Sequence, residues 1–228
     1  MVLKYDKFLE SKGGYNTLYH FTSSLYIINI LKSNKIVSGK EIVDLYMDSD
    51  NEETVKRFQS LEKKYPFFIS TTRNKNFHIK EKSLITFINT RIHLDGNKLT
   101  TKYKVIPTNW YNSSEYKNMK ALKNESEEAI LLRTGDRDIE LSTYCTKIDI
   151  PSLDLFKKEI DYYINEEGYN LDVLINKLQQ IKDSLSKIKL KITKENIRTD
   201  DVISKVYKLF VSFTELYCDK YNIEVGIL

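Results

Sequence analysis

The spacing of apolar residues changes at Pro151, and that change limits what the chain can fold into. Before it, short strand-like runs alternate with short helices. After it, apolar residues return every three or four positions, the repeat of an amphipathic helix. Proline cannot continue a strand ladder and suits the first turn of a helix, so Pro151 is a natural boundary. The expected division is a domain over 1–150 and a helical appendage over 151–228. A chain of 228 residues can hold one large domain, or a medium one with an appendage. With 41% hydrophobic residues, it can build a buried core.

In the first part, 17–21 reads as a strand. Ser23 or Ser24 can cap the helix that follows, because a serine hydroxyl accepts a bond from a free first-turn amide. That helix carries Leu25, Ile28 and Leu31 on one face and stops near Asn34. A second helical stretch is expected over 41–61, interrupted by an acidic turn at Asp48-Ser49-Asp50-Asn51. The runs 66–71, 83–92, 103–106 and 128–132 read as extended, and 139–150 as one strand or two. Asp95-Gly96 signals a turn, and so does Thr134-Gly135-Asp136. In the second part, Leu171, Leu174, Leu178, Ile181, Leu185 and Ile188 form one helical stripe. Val202, Val206, Leu209, Phe210, Phe213 and Leu216 form another, and 153–164 is a third helix.

Several function classes drop out. The seven glycines form neither the dinucleotide-binding nor the phosphate-loop pattern. There is no H-E-x-x-H and no cluster of histidine and cysteine, so no metal is expected. No G-x-S-x-G elbow suggests an esterase. Cys145 and Cys218 are the only cysteines, and reduced thiols are the default for so sparse a set. The opening residues lack a signal-peptide run, and no apolar stretch approaches the roughly 20 residues that span a bilayer. The expected location is the cytoplasm, with no membrane partner. The net charge of +4 permits an anionic partner without requiring one.

Three short patches carry the chemistry. The first is Tyr19-His20-Phe21-Thr22. The second is Phe68-Ile69-Ser70-Thr71-Thr72-Arg73-Asn74. The third is Glu125-Ser126-Glu127-Glu128, running into Ala129-Ile130-Leu131-Leu132. Each is ordinary alone. Alone, His20 is more often a core histidine, Ser70 to Thr72 plain strand material, Arg73 a solvated charge and the glutamates an exposed acidic turn.

In this order the patches resemble the ADP-ribosyltransferase superfamily, and more closely DarT-like enzymes and related phage-encoded transferase domains. The likeness covers roughly residues 15–150. It implies an α+β fold: a split antiparallel β-sheet core with flanking helices, here followed by the C-terminal helical appendage. It implies NAD as substrate, and transfer of ADP-ribose to a host protein or nucleic acid by a toxin or phage effector acting in the host cytoplasm. The carboxylate of that family stabilises an oxocarbenium-like ribose and is carried over to Glu128, with Glu127 and Glu125 as competitors. Arg73 is carried over as a catalytic arginine, and His20 as a ribose-hydroxyl ligand. Phe21 and Thr22 would hold the nicotinamide amide through their backbone. Ser70, Thr71 and Thr72 would brace the site. The run after Arg73 lacks the proline-containing form of DarT itself, which leaves specificity for a DNA base open.

Other readings stand beside this one. The fold can serve as a non-catalytic phage structural or interaction scaffold, or as an NAD glycohydrolase. The C-terminal helices can pack on themselves or bind a protein partner. Lys182, Lys187, Lys189, Lys191 and Lys194 can touch nucleic acid or form a solvated face. His78 and His93 read as structural.

Overall fold

The structure is a computed structural model and describes residues 17–38, 68–73, 75, 89–107, 127–133, 135–165, 171–185 and 190–228. The helical stretch expected over 41–61 lies outside the described residues, as do most of the strand expected over 83–92, Glu125, His78, Lys187, Lys189 and Ile188. In chain order the elements are β1 (Thr17–Thr22), α1 (Ser24–Ser33), β2 (Lys35–Val37), β3 (Phe68–Thr72), β4 (Thr90–Asp95), α2 (Gly96–Lys102), β5 (Lys104–Pro107), β6 (Glu127–Leu131), β7 (Asp138–Glu140), α3 (Leu141–Tyr144), β8 (Cys145–Ile150), α4 (Leu153–Asn165), α5 (Leu171–Ser184), α6 (Asp200–Tyr221) and β9 (Glu224–Ile227).

The class is α+β, with a mostly antiparallel, open sheet of order β5-β6-β3-β1-β4-β8-β9. Strands β2 and β7 pair separately. The β1/β3, β3/β6 and β5/β6 pairs are antiparallel, and β8/β9 is parallel. The parallel β8/β9 pair is the exception in a sheet that is otherwise mostly antiparallel, as expected. Strand β9 itself corrects the expectation of helix almost throughout the second part. A parallel neighbour needs a long crossover, and α4, α5 and α6 supply it between β8 and β9.

The described residues fall into two compact units. One draws on Met1–His20, Lys35–Phe77 and His93–Cys145; the other on Phe21–Asn34, His78–Ile92 and Thr146–Leu228. In the first, the β3/β6 ladder buries Phe68, Ile69, Ala129 and Ile130. Asp95 does not make a turn there. Its carboxylate accepts from Lys98 N–H at 2.9 Å and caps α2, a role for which aspartate is as well suited as for turns. Along 139–150 the chain makes β7, the one-turn helix α3, and β8.

In the second unit, the apolar stripes of α4, α5 and α6 bury one another together with α1. Phe156 of α4 stacks on Phe210 of α6 at 5.3 Å between ring centroids. Leu174, Leu178 and Ile181 of α5 are buried, as are Val202, Val206, Leu209, Phe210 and Phe213 of α6. Leu216, expected on the same stripe, is 53% exposed. At 100° per residue it falls just outside the arc of α6 that Val202, Val206, Leu209, Phe210 and Phe213 span. Ser23 caps α1, its hydroxyl accepting from Tyr26 N–H at 3.2 Å, and Asn34 closes the helix at φ 58°. Tyr221 at the end of α6 donates to the Leu31 carbonyl near the end of α1 at 3.0 Å.

Candidate functional site

The site is built on three neighbouring strands. Strand β3 lies between β6 and β1, so the strands that carry the three sequence patches are adjacent. The β3/β6 register sets Thr71 opposite Glu128 and Thr72 opposite Glu127. The β1/β3 register sets Tyr19 opposite Thr72, and antiparallel counting then brings His20 level with Thr71. Residues facing each other across a ladder share a face, and so do residues two apart in one strand. His20, Thr71 and Glu128 therefore belong to one face of this ladder, and Arg73, just past the end of β3, joins them through its bond to Glu128. Ser70 and Thr72 belong to the other.

Glu128 is fully buried. A carboxylate taken out of water needs a partner, and Arg73 provides one: its Nε–H donates to Glu128 Oε1 at 2.5 Å. The guanidinium is itself largely buried, with only 13% of its side chain exposed. Thr71 anchors the same position through its hydroxyl, which donates to the Glu128 carbonyl at 3.1 Å. Arginine one residue past the end of β3 thus reaches the second residue of β6.

His20 is half-buried. Its Nδ1–H donates to the Ser70 carbonyl at 2.8 Å. Because a carbonyl only accepts, this bond fixes the hydrogen on Nδ1 and leaves Nε2 of the neutral ring as an acceptor. Burial lowers the imidazole pKa from 6.5, and the bond to Ser70 opposes that shift without cancelling it. The ring is therefore neutral at pH 7. Tyr19 packs edge-on against His93 at 5.0 Å between centroids.

The remaining candidates are dispersed. Ser70 is exposed, whereas Thr72 is buried. Phe21 and Thr22 complete β1 but fall in the second compact unit. Glu127 opens β6 beside Glu128. Among the described residues no group of three or more His, Cys, Asp or Glu side chains is placed to hold a metal ion.

Sequence reasoning missed a cleft of about 490 Å³ in the first unit. Its lining includes Lys35, Lys102, Tyr103, Asp136, Asp138 and Tyr144, and does not include His20, Arg73 or Glu128. Lys35 pairs with Asp138 at 2.9 Å, and Lys102 with Asp136 at 3.4 Å, so the charges of this wall largely cancel. Burial raises the Tyr103 phenol, while the hydrogen bond from Lys102 works the other way. The only local feature of this wall read in the sequence was the turn at Thr134-Gly135-Asp136, and a turn pattern does not announce a cleft. Gly135 does take the positive φ of 96° that such a turn favours.

Comparisons of the chain with models of protein families, with curated proteins and with solved structures give no match.

Proposed function

We propose that this chain transfers ADP-ribose from NAD to a macromolecular acceptor, a host protein or nucleic acid, with release of nicotinamide. One observation carries the reading: Glu128, Thr71 and His20 form a row across β6, β3 and β1, with Arg73 bonded to Glu128. One residue from each of three patches far apart in the chain lies in that row, which supports a shared substrate site.

The chemistry follows from the groups. The bond between the ribose carbon and the nicotinamide nitrogen breaks, and its electron pair leaves with nicotinamide. The ribose gains positive charge, which the Glu128 carboxylate stabilises more strongly in the transition state than in the ground state. An acceptor atom then bonds to that carbon and gives up its proton to a base, for which Glu128 is the candidate. Arg73 holds the carboxylate in one orientation. Nε2 of His20 accepts from a ribose hydroxyl. Strands lie about 4.8 Å apart, so the outer two strands of the row are separated by about 10 Å, enough to leave room for a sugar ring between the side chains. The setting proposed is a toxin or phage effector in a host cytoplasm.

A second reading has a specific observation in its favour. The complete burial of Glu128 and its bond to Arg73 also suit a brace inside a non-catalytic scaffold. Incubation with NAD labelled in the adenosine half, with and without a cell lysate, separates the two. Transferase activity is expected to release nicotinamide and label an acceptor. Glu128→Gln, checked for folding by circular dichroism, is expected to lower the rate by about a hundredfold or more. Equal behaviour of wild type and variant, with no calorimetric NAD binding, would establish the scaffold. Free ADP-ribose without a labelled acceptor would identify a glycohydrolase.

A further inference from the structure

A second buried carboxylate lies in the other compact unit and has no part in the proposed reaction. Glu159 of α4 is fully buried. The backbone N–H of Ser24, first residue of α1, donates to its Oε1 at 3.1 Å. The Asn89 amide donates from Nδ2 to its Oε2 at 2.7 Å. The Ser24 hydroxyl in turn donates to Asn89 Oδ1 at 3.0 Å. The result is a closed chain of Ser24, Asn89 and Glu159, all three buried, joining α1, the residue before β4, and α4.

This chain can run in either direction. With Glu159 ionised, every bond points toward the carboxylate. With Glu159 protonated, Oε2–H needs an acceptor. An amide is almost the same shape end for end, so rotating Asn89 presents Oδ1 to Glu159 and Nδ2 to Ser24 Oγ. The Ser24 hydroxyl then turns to donate to Oε1, the atom that the Ser24 backbone N–H already bonds at 3.1 Å. Each side-chain donor keeps an acceptor, and one proton has entered from solvent.

We propose that Ser24, Asn89 and Glu159 form a proton-responsive latch, in which protonation of Glu159 reverses the hydrogen-bond chain and removes the anion facing the N-terminus of α1. That anion matters because the first amides of a helix carry partial positive charge. The surroundings favour exchange near neutrality. Burial raises the Glu159 pKa to about 7, against the hydrogen bonds from Ser24, Asn89 and Leu25. The neighbouring elements bring few charges to it. From α5 comes Lys177, whose pKa burial lowers and Glu159 partly restores, and whose Nζ lies 3.9 Å from the centroid of the Tyr26 ring of α1. From α6, Tyr207 faces Phe156 of α4, and Asp200 pairs with Lys157 of α4 at 3.0 Å.

The test is an NMR titration of the full chain from about pH 5 to about pH 9. The Glu159 carboxyl carbon is expected to titrate near pH 7. The side-chain amide signals of Asn89 and the Ser24 N–H signal are expected to move with the same midpoint. Glu159→Gln, which mimics the protonated form, is expected to hold the Asn89 signals still across that range. A carboxyl midpoint near the ordinary glutamate value, or Asn89 signals that do not follow it, overturns the latch. Should Glu159→Gln fail to fold, the wild-type carboxyl and amide signals, assigned through the backbone, decide the matter alone.

Discussion

Arg73 and Glu128 each make the other tolerable out of water. Removing one side of a buried ion pair leaves the other charge desolvated, a penalty of about 3–5 kcal/mol. Arg73→Met is therefore expected to lower unfolding free energy by about that amount in urea denaturation, and far less in a Glu128→Gln background. A loss under about 1 kcal/mol would mean that water reaches the pair. His20 sets a different test, through protons. Its folded pKa lies below 6.5, so below that pH the unfolded chain takes up a proton that the folded ring refuses. Stability is expected to fall as pH drops from 6.5 toward the lower folded value and then to level off. His20→Gln should remove that acid-side slope from a series of melting temperatures.

At the scale of elements, caps and close approaches decide. Ser23→Ala removes the hydroxyl that satisfies Tyr26 N–H and is expected to cost about 1 kcal/mol, read as a lower melting temperature. Gly226 of β9 works through absence. A Cβ there would lie 2.3 Å from Asp149 Oδ1 and 2.8 Å from Lys147 Cε. Asp149 is held by Arg91 at 2.5 Å, and Lys147 bridges to Glu224 at 2.9 Å, so neither neighbour can give way without breaking an ion pair. Gly226→Ala is expected to cost about 1–3 kcal/mol and to speed amide exchange in β9. The two elements differ in how readable they were. The cap, apolar stripe and αL stop of α1 all lie within a few residues of one another, and its reading needed nothing else. Asp95-Gly96 was ambiguous because aspartate before glycine serves a turn and a helix start equally well. Strand β9 is four residues long, and its partner β8 lies three helices earlier, so no local pattern announced it.

For the molecule as a whole, Glu159 gives stability an unusual dependence on pH. Its folded pKa, about 7, exceeds the ordinary 4.5, so between these values the folded carboxyl keeps a proton that the unfolded one releases. Its contribution is fully present below 4.5 and lost as pH rises through about 7. Relative to Glu159→Gln, wild type is expected to lose up to about 3 kcal/mol over that window, measured by denaturant titrations at each pH. Among the described residues no helix is long and apolar enough to cross a membrane. The sequence by itself determined the apolar repeats of α1, α4, α5 and α6, several strand runs and the cap of α1, because such preferences act between residues a few positions apart. It also marked Glu128, Arg73 and His20 as polar residues worth following. Only the tertiary structure decided that β3 lies between β6 and β1, that Arg73 meets a carboxylate 55 residues away, and that Ser24 meets one 135 residues away. Those contacts depend on strand order and helix packing, which are settled by burying the most apolar surface at once, and no short stretch of sequence contains that balance.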